Sequence, residues 1–151
     1  MTAKEYLSQA YYVDKRIQSK LRQVESLRDL ATKVTSTLGT ESVSGSRNVH
    51  RTEDTLDKII ELQNDINDDV DHLIDLKREV MKLINKMEDA DCLTILELRY
   101  LSFMSWEQIA TEMNFSYRWV HTLHARALKA LKEKDKTQAA LIEAVKAEVE
   151  I

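Results

Sequence analysis

The stretch SYRWVHTLHARALKAL, Ser116 to Leu131, carries Arg118, His121, His124, Arg126 and Lys129 and not one Asp or Glu. In a chain of formal net charge −4 this is a local polycation. The chemistry open to it is recognition of an anion, and of base edges beside that anion. Arg can donate two parallel bonds to a guanine edge, Thr can meet a base edge or a methyl group, and Lys holds a phosphate. On a helical wheel at about 100° per residue, Leu123, Ala127 and Leu131 fall within about 60° of Val120 and form an inward face. Arg118, Thr122, Ala125 and Lys129 fall opposite, with Arg126, Lys132 and His121 on the shoulders.

Other reactive side chains invite blander readings. His121 and His124 are spaced as half a metal site, yet no Cys or carboxylate cluster adjoins them and His124 leans inward, so no metal or other cofactor is expected. Trp119 can stack on a sugar-phosphate edge, but packing over Leu123 or against the N-terminal region is the stronger expectation. Trp106 reads as a core anchor. Cys92, the one cysteine, lies in an apolar run and reads as a buried, inert thiol. The acidic run NDINDDVDHLID (Asn64 to Asp75) lacks the glycine a calcium loop requires and keeps the helical stripe Ile66, Val70, Leu73, so a solvated helix face is expected. No Ser–His–Asp or Cys–His arrangement and no Gly-rich phosphate loop stands out, and the chain does not read as an enzyme.

The elements that hold the polycation follow from the rest of the sequence. With no proline and two glycines in 151 residues the chain lacks the turns of a sheet, and the fold class is all-α. Alternate steps of three and four from Leu7 pass Ala10, Asp14, Ile17, Leu21, Val24, Arg28, Ala31, Thr35 and Leu38. From Leu56 they pass Ile59, Gln63, Ile66, Val70, Leu73, Lys77, Val80, Ile84 and Met87. Both walks predict long amphipathic helices. A loop is expected near 38–51, with Thr52 as the N-cap of the second helix. Residues 1–51 carry nine Lys/Arg against five Asp/Glu, and residues 52–91 five against thirteen. Opposite charge favours pairing the two helices, so 1–88 reads as an antiparallel, coiled-coil-like hairpin, with a parallel dimeric coiled coil as the alternative. Residues 89–134 then hold three shorter helices, capped by Asp89 or Asp91, by Ser105 and by Ser116. The tail 135–151 extends the last helix, frays, or packs on a partner.

From Trp106 onward the spacing fits a helix-turn-helix. Ala110 is the small residue at the crossing, Asn114 takes the left-handed turn, and Ile109, Met113, Val120 and Leu123 supply a shared core. The segment LELRYLSFMSWEQIATEMNFSYRWVHTLHARALKAL resembles region 4 of sigma-70-type factors. The resemblance rests on the LRY run, Ile109–Ala110, Val120 and the closing ARALKAL, and covers about the last third of the chain before the tail. Placed after long helices, it is most similar to the small phage and prophage regulators of late transcription (ArpU- or RinA-type). It implies that the helix 116–131 reads double-stranded DNA, with Tyr117, Arg118, His121 and Thr122 at the contacting positions. Sigma factors usually carry an acid where Arg118 stands, which implies a target other than the −35 element. The acidic second helix would repel single-stranded DNA, so a stand-alone initiating sigma factor is not expected.

The leading expectation is thus a phage-type DNA-binding transcription regulator, with Ser116, Tyr117, Arg118, His121, Thr122, Arg126 and Lys129 at the DNA. RNA polymerase and a second copy, joined through the hairpin, are the further partners considered. A DNA-packaging recognition subunit of small-terminase type is one alternative; a module that binds only RNA polymerase or a sigma factor is the other. No apolar stretch is long enough to cross a bilayer, and the N-terminus lacks a signal-peptide core, so a bacterial cytoplasm, beside the nucleoid, is the expected location.

Overall fold

The structure, a computed structural model, describes residues 2–37 and 45–149. Among them it is all-α, with α1 (Ala3–Thr37), α2 (Gly45–Ile84), α3 (Ala90–Tyr100), α4 (Trp106–Met113) and α5 (Tyr117–Val149). No described helix is long and apolar enough to cross a membrane. The chain divides into two compact units, residues 12–74 and residues 1–11 with 75–151.

In the unit 12–74, Val13, Ile17 and Val24 of α1 and Ile59, Leu62 and Ile66 of α2 are buried. Asp69 accepts a 2.7 Å hydrogen bond from Lys20 Nζ and lies 4.0 Å from Arg16. The stripes differ from those read by fixed steps. On α1, Leu21 and Arg28 are exposed; the buried Val13 and the half-buried Lys20 and Leu27 take the inner positions. On α2, Leu56 and Val70 are exposed, while Leu62 and Leu76 are buried in place of Gln63 and Lys77. On α2 the cause is that apolar residues stand on two neighbouring heptad lines, and a single walk crosses from one to the other. On α1 the walk steps by four from Ala10, Ile17 and Val24, where the buried line steps by three.

The loop expected near 38–51 is also shorter than read. Residues 45–51 are helical, which places Thr52 inside α2 rather than at its cap; residues 38–44 lie outside the described residues. Once a helix is nucleated, each added turn costs little, and no proline stops α2 before Gly45. The tail resolves as the first of its three options, because α5 continues to Val149.

The second unit has a continuous core of Leu7, Val80, Ile84, Met87, Cys92, Ile95, Leu96, Tyr100, Ile109, Val120, Leu123, Ala127 and Leu131. The boundary expected at 88/89 is therefore not where the packing divides. Leu7 and the last turns of α2 carry apolar groups that join α3, α4 and α5, and Tyr6 donates to Glu79 at 3.2 Å. Burial pushes the Cys92 thiol up from its ordinary pKa, and the nearby Asp89 carboxylate adds to this, which keeps it a protonated, unreactive packing group.

Candidate functional site

Three caps set the short helices. Asp89 accepts from the Cys92 N–H at 3.0 Å and opens α3; that bond holds its carboxyl below the usual range. Ser105 opens α4 with a reciprocal pair, its Oγ accepting from Gln108 N at 3.2 Å and its N–H donating to Gln108 Oε1 at 2.9 Å. Ser116 opens α5, its Oγ accepting from Trp119 N at 3.1 Å.

Between α4 and α5 the chain turns at Asn114, which sits at φ 57°, ψ 39°. Its N–H and that of Phe115 both return to the carbonyl of Ala110, closing the last turn of α4. Asparagine is the non-glycine residue that tolerates this left-handed geometry best. Ile109, Val120 and Leu123 are buried across the turn and Met113 is half-buried, so both helices are held by the apolar set expected of them.

Val120, Leu123, Ala127 and Leu131 are each at most 2% exposed, and the opposite face of α5 is open. Arg118, Thr122, Ala125 and Lys129 are all exposed along it. The Thr122 hydroxyl donates to the Arg118 carbonyl at 3.1 Å, which favours one rotamer of this exposed side chain. Among the described residues neither Arg118 nor Lys129 forms an ion pair. Ser116 and Tyr117 are exposed at the start of the helix.

Two of the sequence-predicted residues are differently engaged. Arg126 is exposed, but its guanidinium lies over the Trp119 ring at 5.3 Å and close enough to Asp89 to help hold that carboxyl ionised. Trp119 is not part of the buried core; it is 39% exposed and lies under the Arg126 guanidinium. His121 is half-buried, its ring 4.7 Å from Trp106 and 4.6 Å from Tyr117. It braces the face more than it presents to it.

Sequence reasoning missed the aromatic spine behind this face. The Tyr100 hydroxyl and His124 Nε2 share a 2.6 Å hydrogen bond. His124 meets the edge of Trp106 at 4.6 Å, and the Arg99 guanidinium covers Trp106 at 4.4 Å. Burial first, then the cations Lys4 and Arg99, lower the His124 pKa to about 4, while burial pushes Tyr100 up to about 12. Both are neutral near pH 7, and His124 Nε2 is taken by Tyr100 rather than open to a metal. Arg99 also donates to the Met104 carbonyl at 2.9 Å, across a turn in which Phe103 adopts φ 56°. The available signal was Trp106 three residues before Ile109, with Tyr100 and His124 each on the inner face of its helix.

A family model described as a protein of unknown function (DUF1492) matches residues 33–132, and the chain belongs to that family. The match takes in α2, α3 and α4 and ends at Lys132, within α5. Neither the comparison with curated proteins nor that with solved structures gives a match.

Proposed function

We propose that this protein is a sequence-specific DNA-binding regulator of transcription, of phage or prophage type, acting through a helix-turn-helix made of α4 and α5. The observation that carries the reading is the division of α5. One face is buried to 2% or less, and the opposite face exposes Arg118, Thr122 and Lys129 with no acid between Ser116 and Leu131. A helix held in this way enters a major groove with its exposed side chains toward the bases.

The roles divide by position. Arg118 and Thr122, one turn apart near the start of α5, read base edges. Lys129, two turns further on, holds backbone phosphate, and Tyr117 and Ser116 meet phosphate at the helix start. His121 and Arg126 act mainly as supports, through Trp106 and Trp119. Three helices of this size make few phosphate contacts, so specific affinity requires a second DNA-binding unit or a polymerase partner.

Genome-wide footprinting of the wild-type protein beside Arg118→Ala and Thr122→Ala variants tests this. Discrete protected sites upstream of genes are expected for the wild type, and loss of selectivity for the variants. Lys129→Ala weakens all sites alike and reduces the salt slope by about one. Absence of any salt-sensitive DNA binding by the wild type leaves the helices as a protein-interaction module. Assembly into a large ring would favour the DNA-packaging alternative.

A further inference from the structure

A second apolar line runs along α2 beside the buried one. Leu56, Ile60, Gln63, Asn67, Val70 and Ile74 follow heptad spacing, and the four apolar members are 48%, 55%, 37% and 49% exposed. Single exposed hydrophobics are ordinary on a protein surface; four in register along one helix face are a seam. Its edge is acidic. Asp57, Glu61 and Asp71 directly follow Leu56, Ile60 and Val70, and all three are exposed. From Glu53 to Ile74 eight acids stand against one cation, Lys58, which already lies 3.6 Å from Glu61.

Heptad seams take helices, and charge selects which helix. The same stripe of a second copy would set acid against acid. The α1 helix of a second copy carries cations, but its exposed apolar residues within 12–74, Tyr12, Leu21 and Leu30, are spaced nine apart. At about 100° per residue, successive members of that set point to opposite sides, so α1 offers no matching seam. We infer that the Leu56–Ile60–Val70–Ile74 stripe docks an amphipathic helix of another protein, one whose apolar seam is edged with Lys or Arg. Asn67 and Gln63, mid-stripe, set the register by calling for polar partners opposite.

The test uses the full-length protein and two synthetic heptad-repeat helices, one with Leu in the seam and Lys at the edges, the other with Glu in place of Lys. In anisotropy titrations the Lys helix binds about tenfold or more tighter, and the gap narrows as salt rises. Ile60→Ser with Ile74→Ser weakens its binding about tenfold or more, in keeping with two lost apolar anchors. Asp57→Lys, Glu61→Lys and Asp71→Lys together reverse the preference. These positions are exposed, so circular dichroism should report unchanged helicity in every variant. Equal binding of the two helices, or full binding by the Ile60→Ser/Ile74→Ser protein, overturns the inference. So does a dimer in sedimentation that Ile74→Ser dissociates, since the stripe then belongs to a second copy.

Discussion

The unit built on α3, α4 and α5 and the two-helix unit 12–74 use similar residues to different effect. In the first, Ile95, Leu96, Ile109, Val120 and Ala127 are sealed at 0% exposure. In the second, the best-covered side chains keep 5–8%, and Leu21, Leu30, Leu56, Ile60, Val70 and Ile74 remain in water. Two long helices can cover one seam each, whereas three crossing helices enclose a volume. Enclosure, more than hydrophobic content, separates them.

The largest expected effect lies where enclosure is complete. Ile109→Ala removes a side chain that α5 covers and should cost about 2–5 kcal/mol in denaturant unfolding. Ile66→Ala, in the open unit, falls at or below the lower end of that range, because water already reaches the seam. Native-state hydrogen exchange should rank the amides alike, with those of α3 to α5 the slower. Equal costs at both sites would break the comparison.

The enclosed unit also buries a histidine, and this gives it a pH dependence of its own. His124 has its pKa lowered to about 4 against an ordinary 6.5. The unfolded chain therefore takes up a proton on this side chain before the folded one does. The histidine's contribution is full above about pH 6.5, falls as pH drops from there to about 4, and is then exhausted, a change on the order of 3 kcal/mol. Thermal melts of the wild type and His124→Gln across this window should converge toward low pH. A constant difference between them would show that His124 is not held neutral.

Much of this was legible in the sequence, and unevenly so. The caps at Asp89, Ser105 and Ser116 and the left-handed Asn114 were readable because each depends on a few neighbouring residues. The inner face of α5 was readable because four buried positions recur at helical spacing. What escaped depended on residues distant in sequence. Tyr100 meets His124 across 24 positions, and Arg126 feels Asp89 from another helix. The doubled stripe of α2 escaped for a different reason: two heptad lines one residue apart give a fixed-step walk no means of choosing.

The Asn114 turn offers a smaller and more local test of the enclosed unit. Asn114→Val forces a β-branched residue into φ 57° and should cost about 1–2 kcal/mol, whereas Asn114→Gly should be neutral within a few tenths. If the valine variant keeps full stability, the turn has found another geometry, and under the proposed function any DNA selectivity should then be lost while α5 keeps its helicity.

The smallest net effect is expected at a charged contact on the seam of the open unit. Lys20 and Asp69 both stand on seam lines, 2.7 Å apart, with side chains only 21% and 15% exposed. Lys20→Leu alone strands a partly buried carboxylate and should cost about 1–3 kcal/mol, moderated by Arg16 at 4.0 Å. Lys20→Leu with Asp69→Leu removes both charges and should return stability to within about 1 kcal/mol of wild type. The pair contributes specificity more than stability, because the 2.7 Å bond to Asp69 forms only when Lys20 lies opposite it. An apolar pair lets the seam slide, so the double variant should show broadened NMR resonances in 12–74 at nearly unchanged stability. A sharp, single-state spectrum in that variant would place the register elsewhere, in the apolar spacing of Ile17, Val24, Ile59 and Ile66.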